Sequence, residues 1–142
     1  MSEHFRKLER MYQTAPINAL YRPVMTVSEG EAEIVIDVHR DLFHAAGAVH
    51  GSVYFKMLDD AAYFASNSLE MKTFVLTASF TTYLTRPISE GQMRAHGTVV
   101  HRSKTQFIAE SVVTDHRGKE IARGNGVFVR GKTPLTPEIG YA

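Results

Sequence analysis

At 142 residues, with 44% hydrophobic and 22% charged side chains, the chain has the size and composition of one globular domain that can bury a core without staples. A formal net charge of +1 and seven scattered histidines leave no electrostatic footprint for nucleic acid, and the lack of cysteine excludes disulfides, thiolate chemistry and cysteine-based metal sites. No stretch approaches the roughly eighteen uninterrupted apolar residues of a membrane span, and the charged N-terminus (Glu3, Arg6, Lys7, Glu9, Arg10) has no apolar signal core, so a cytoplasmic protein without a membrane partner is expected.

The first predicted element is a helix over residues 2–14, capped by Ser2, with Phe5, Leu8, Met11 and Tyr12 on its apolar side as a cover for sheet and Pro16 ending it. Ile17 to Val38 reads as two strands joined near Ser28-Glu29-Gly30. In the second, Ala32, Ile34, Ile36 and Val38 alternate against Glu33, Val35 and Asp37, the pattern of a half-buried antiparallel strand. His39 to Val49 is a loop that delivers the chain to a long helix of about residues 51–69. On that helix Tyr54, Leu58, Ala61, Ala65 and Leu69 share one face at 3.6-residue spacing, and Val53, Met57 and Phe64 widen it until the helix reads as central and largely covered.

Glu70-Met71-Lys72 marks a solvated link, and four strand-like runs follow: Phe74 to Thr85, Gln92 to Arg102, Thr105 to Asp115 and Glu120 to Arg130. Turn signals at Pro87 and Gly91, Ser103-Lys104 and His116-Arg117-Gly118 separate them, and such short links favour antiparallel pairing. Pro134 and Pro137 mark residues of about 132–142 as an extended, flexible tail. The expected architecture is α+β, one domain over residues 1–142 in which a curved antiparallel sheet of about six strands wraps one long central helix.

Two adjacent carboxylates on a largely covered helix need partners or shifted titration. Asp60 shares a face with Lys56 and reads as half of a modest surface ion pair. Asp59 lies about one hundred degrees around, beside Phe55, Ala62 and Ser66 at the edge of the apolar face, where a catalytic and a structural role are equally compatible with helix geometry. Ahead of them, Gly47 and Gly51 punctuate the loop. Gly51 falls at the helix start, where unpaired N–H groups can polarise a carbonyl or hold an anion.

The stretch His50-Gly51-Ser52, followed by Leu58-Asp59-Asp60-Ala61-Ala62, resembles the His-Gly-Gly and downstream acid of hotdog-fold thioesterases. The likeness is to the phenylacetate-degradation branch of the 4-hydroxybenzoyl-CoA thioesterase superfamily. Tyr83-Leu84-Thr85-Arg86-Pro87 and Gly118-Lys119-Glu120-Ile121-Ala122 are similar to that family's strand motifs, so the resemblance covers roughly residues 40 to 130. It implies hydrolysis of an acyl-CoA thioester without metal or cofactor. Asp59 would be nucleophile or general base, the Gly51 N–H would polarise the carbonyl, His50 would position the loop, and Thr77 would orient the attacking water. Two positions depart from the pattern: His44 stands where many relatives carry asparagine, and Ser52, bordering the substrate, replaces the second glycine.

Tyr63 and Phe80, with Tyr54, Phe55 and Phe64, would shape an acyl pocket, although core packing accounts for them equally well. Arg86, Arg102 and Lys104, with Arg130 and Lys132, form a candidate contact set for the phosphates of coenzyme A. The resemblance also implies a homodimer or homotetramer, with the site between the Gly51 side of one protomer and the Asp59 helix of the other. Two alternatives stand beside the thioesterase: a non-catalytic acyl-CoA-binding protein on the same fold, and a hydroxyacyl-thioester dehydratase using His50 with Asp59.

Overall fold

The computed structural model describes residues 2–142. Its elements run α1 (Ser2–Thr14), α2 (Asn18–Tyr21), β1 (Val24–Ser28), β2 (Glu31–Asp37), α3 (Gly51–Asn67), β3 (Thr73–Leu84), β4 (Gln92–Arg102), β5 (Gln106–Thr114) and β6 (Glu120–Pro134). The strands form one antiparallel sheet in the order β1-β2-β4-β5-β6-β3, and α3 lies across it. This is the predicted α+β arrangement of six strands around one helix. The helix ends two residues earlier than its periodicity suggests, because Asn67 turns its amide to the carbonyls of Glu70 and Thr73.

Alternation explains the packing. Ala32, Ile34 and Ile36 of β2, Met93 and Ala95 of β4, and Phe107, Ala109 and Val113 of β5 all point inward onto Leu58, Ala61, Ala62 and Ala65 of α3. The small helix residues let the sheet come close. At Gly97 a Cβ would sit 2.3 Å from the Ala61 carbonyl oxygen, so the helix backbone rests directly on β4.

β3 is an edge strand carrying a bulge between Thr77 and Ser79. Thr77 pairs with inward-facing Phe128 and Phe80 pairs with Gly126, so the bulged Ala78 leaves both side chains on the α3 side of the sheet despite their odd spacing. The ring of Phe80 lies over Gly124 and Gly126, where added Cβ atoms would strike it.

Two segments differ from the sequence expectation. Residues 18–21, expected to begin a strand, form the short helix α2, stopped by Arg22 in a left-handed conformation (φ 48°) just before Pro23. The tail is docked: β6 runs on to Pro134, and a 3-10 turn over Pro137–Ile139 follows. The Tyr141 hydroxyl then donates to His4 Nδ1 at 2.7 Å, and Arg10 Nε donates to the carbonyl of Ala142. Its anchor is His4 on α1, buried in the chain and fixed from its other side because Nε2 donates to the Asn67 carbonyl at 2.9 Å.

Candidate active site

Asp59 and Thr77 meet across the interface of α3 and β3. The Thr77 hydroxyl donates to Asp59 Oδ1 at 2.9 Å from the face of β3 that it shares with buried Val75. Burial pushes the Asp59 carboxyl up to about 6, and the negative Asp60 adds to this; the Thr77 hydrogen bond and the Lys56 ammonium pull the other way. The second carboxylate oxygen has no protein partner among the described residues.

Asp60 is held quite differently. Its Oδ2 accepts from the Tyr12 hydroxyl at 2.7 Å and from Lys56 Nζ at 2.5 Å. The predicted ion pair with Lys56 therefore exists, but with only 14% and 19% of the two side chains exposed it is not the surface pair expected from helix geometry, because α1 covers it. The Lys56 ammonium also lies 5.0 Å from the ring centroids of both Tyr12 and Tyr21. Burial and the adjacent Asp60 raise the Tyr12 hydroxyl far above its ordinary value, so it stays a donor.

Both aspartates open on one cavity of about 840 Å³, lined also by Thr77, Tyr63 and Phe64, by Met11 and Tyr12 of α1, and by Pro137 to Gly140 of the tail. That volume falls in the range of roughly 300–1,000 Å³ typical of small-molecule sites. Tyr63 contributes an edge to the wall while its hydroxyl donates to the Val75 carbonyl at 2.6 Å, and its titration is pushed up by burial. Phe80 is not in this wall; it packs edge-on against Phe55 at 5.8 Å, and Phe55 is 42% exposed.

At the other end of α3, His50 is the N-cap. Ser52 N–H donates to His50 Nδ1 at 3.0 Å and the Ser52 hydroxyl donates to the same atom at 2.8 Å, which leaves the ring proton on Nε2. The loop is fixed by His50 N–H on the Leu42 carbonyl and Val49 N–H on the Ile88 carbonyl. Gly47 adopts φ 83°, a conformation that favours glycine, whereas Gly51 is needed for space, since a Cβ there would press on Leu84 at 3.1 Å. The Gly51 N–H meets no acceptor among the described residues. Asp59 stands eight positions after Gly51 on the helix, about 12 Å along the axis, so the two do not converge within one chain.

His50 and Ser52 border a separate, smaller hollow with Tyr21 and Phe43. His44 is exposed in the loop, its Nδ1 accepting from Ala46 N–H at 3.0 Å, and it does not reach the Asp59 cavity. The candidate phosphate set divides. The antiparallel register puts Arg86, beyond the end of β3, at one end of the sheet and Arg102 and Lys104, at the β4–β5 turn, at the other. Arg130 has structural work, donating to Glu70 and to the carbonyls of Ser103 and Lys104 while stacked 4.5 Å over Phe107. Sequence reasoning missed Tyr12, Asn18 and the tail as cavity residues; the apolar face of α1 is visible in the chain, but not what it faces.

A six-stranded antiparallel sheet around one long helix is the hotdog fold. The PaaI protein of the Escherichia coli phenylacetic acid degradation operon has that same fold, with a TM-score of 0.85 over 95% of this chain and 98% of its own at 19% identity. A Mycobacterium tuberculosis protein named "Putative esterase" is 30% identical over 97 residues, which cover 66% of this chain and 69% of that one. Its solved structure matches with a TM-score of 0.77 over 84% of this chain and 98% of its own, at 24% identity. The sequence profile of the thioesterase superfamily matches residues 46–122, from the loop before α3 into β6, and the chain belongs to that family.

Proposed function

We propose that the protein hydrolyses the thioester bond of an acyl-CoA, with Asp59 as the catalytic carboxylate. The observation that carries this reading is the state of Asp59: half-buried in a ligand-sized cavity, bonded by one hydroxyl only, and titrating at about 6, so that it is ionised yet basic near neutral pH. A thioester carbonyl seated beside Asp59 is attacked either by a water that gives its proton to the carboxylate or by the carboxylate itself. In the first route the C–S bond breaks and the thiolate takes up the proton held by Asp59, giving free acid and CoA. In the second, loss of the thiolate leaves a mixed anhydride on Asp59, which water hydrolyses to free acid and the restored carboxylate while the proton from that water goes to the thiolate. Thr77 holds one carboxylate oxygen and leaves the other for the reaction.

The carbonyl also needs a donor for its developing negative charge, and the Gly51 N–H suits that task. Because it stands about 12 Å along α3 from Asp59 of the same chain, the site is completed by a second copy. The free β3 edge, with Leu76 and Tyr83 more than half exposed and Phe55 beside it, is the surface we assign to that pairing. A dehydratase is supported least, since His50 Nδ1 is engaged by the Ser52 N–H and hydroxyl, which leaves Nε2 protonated and no free base on the ring.

Thiol release from a panel of short, long and aromatic acyl-CoAs tests the reading, with Asp59→Asn and Asp60→Asn alongside the wild type. We expect Asp59→Asn to lose at least about a thousandfold in kcat/KM and Asp60→Asn to stay within about tenfold. Acyl-CoA binding by calorimetry without hydrolysis of any substrate would move the assignment to a binding protein. Loss confined to Asp60→Asn would transfer the catalytic role to the other aspartate.

A further inference from the structure

The C-terminal turn Pro137–Ile139 and Gly140 share the Asp59 cavity, and α1 holds them there. Gly140 adopts φ 95° and lies so close to α1 that a Cβ would come within 2.8 Å of Thr14 Oγ1 and 3.2 Å of Met11 Cα. Immediately after it, Tyr141 bonds to His4 at 2.7 Å with Lys7 5.4 Å from its ring, and Ala142 accepts from Arg10. The strap is thus seated by an apolar fit and a polar latch.

The cavity lining is mainly apolar, with Met11, Ile17, Phe64, Phe74, Pro137 and Ile139, and its uncharged polar groups are hydroxyls and the Asn18 amide. Of the charged side chains that line the cavity, Lys56 is already spent on Asp60, while Asp59 and Glu138 add negative charge. Such a space takes an apolar acyl group and repels one that ends in a carboxylate.

We propose that the strap Pro137–Gly140, with Ile139 as its contact side chain, is the specificity-determining wall of the acyl subsite and limits the protein to uncharged acyl groups that end against it. This rests on the thioesterase reading. The test is kcat/KM for thiol release from straight-chain acyl-CoAs, butyryl to palmitoyl, and from succinyl-CoA. Wild type is compared with Ile139→Ala, Ile139→Trp and Glu138→Lys. Removing the Ile139 side chain should raise the long-to-short ratio by about tenfold and filling the space with tryptophan should lower it by about tenfold, since each methylene in such a pocket changes discrimination by about tenfold or more. Glu138→Lys should raise succinyl relative to butyryl by about fivefold, the scale of one partly exposed charge.

Ratios within about twofold of wild type in either Ile139 variant that retains a cooperative melt overturn the assignment of the strap. Glu138 and Ile139 are both exposed enough for substitution to spare the core, so these variants report on the wall rather than on folding. A wild type that releases thiol but hydrolyses succinyl-CoA as well as butyryl-CoA overturns the charge selection. A wild type silent on every acyl-CoA overturns the thioesterase reading, and this proposal with it.

Discussion

Replacing Asp59 by asparagine should stabilise the protein while destroying its activity. Burial raises the Asp59 carboxyl to about 6, against an unfolded value of about 3.9, so the folded chain binds this proton more tightly than the unfolded chain does. The sign follows by linkage: between about pH 4 and pH 6 folding takes up a proton, stability rises as pH falls through that window, and above pH 6 the ionised carboxylate carries its full cost. Two pH units correspond to about 3 kcal/mol, which we halve to about 1.5 kcal/mol because water reaches the partly exposed group. Asparagine has nearly the same shape, keeps an oxygen for the Thr77 hydroxyl and has no charge to desolvate. For a chain of 142 residues a gain of about 1.5 kcal/mol raises the melting temperature by about 5 °C. Thermal unfolding by circular dichroism from pH 4 to pH 8 measures it. We expect the Asp59→Asn melt to exceed wild type at pH 8 and the two to converge below pH 4. A variant less stable at pH 8, or a difference that does not change with pH, would refute the claim that burial governs this carboxyl.

Thr77→Val removes the hydrogen bond that holds Asp59 ionised, and because Thr77 is exposed we take the low end of a charged hydrogen bond, about 1.5 kcal/mol or about one pH unit. The acid limb of the kcat/KM profile should therefore move from about pH 6 towards pH 7; a uniform loss of rate with the limb unmoved would assign Thr77 to water instead of to the carboxylate. Gly97→Ala puts a methyl 2.3 Å from the Ala61 carbonyl oxygen of α3, a backbone clash that should cost at least about 3 kcal/mol, and a melt within about 3 °C of wild type would show that helix and sheet are less closely packed than the structure has them.

The fold was legible because its signals are local. Glu31 to Asp37 displays its own period-two alternation, the four runs after α3 are bounded by their own turn residues, and the observed bounds of β2, β4 and α1 agree with the sequence reading to within a residue. What was not legible depends on partners distant in sequence. Residues 18–21 carry too short a pattern to separate a turn of helix from a strand start. The proline-marked tail reads as free chain because nothing within it announces that His4 and Arg10, more than 130 residues away, will bind Tyr141 and Ala142. The division of Arg86 from Arg102 and Lys104 is likewise a property of strand order, which charge placement along the chain does not encode.

The same distinction separates the two aspartates. Helix geometry puts them one hundred degrees apart and stops there. What gives them different chemistry is what α1 and β3 bring to each. α1 supplies Tyr12, which with Lys56 engages one oxygen of Asp60 by a hydroxyl and an ammonium. β3 supplies only the Thr77 hydroxyl, on the face that alternation with buried Val75 turns towards the helix. Asp59 thereby keeps an unbonded oxygen inside a cavity built by those same elements. Asp60 in turn raises the titration of its neighbour while its own charge is compensated by Lys56, so one carboxylate of the pair is held by an ammonium and a hydroxyl and the other by a hydroxyl alone.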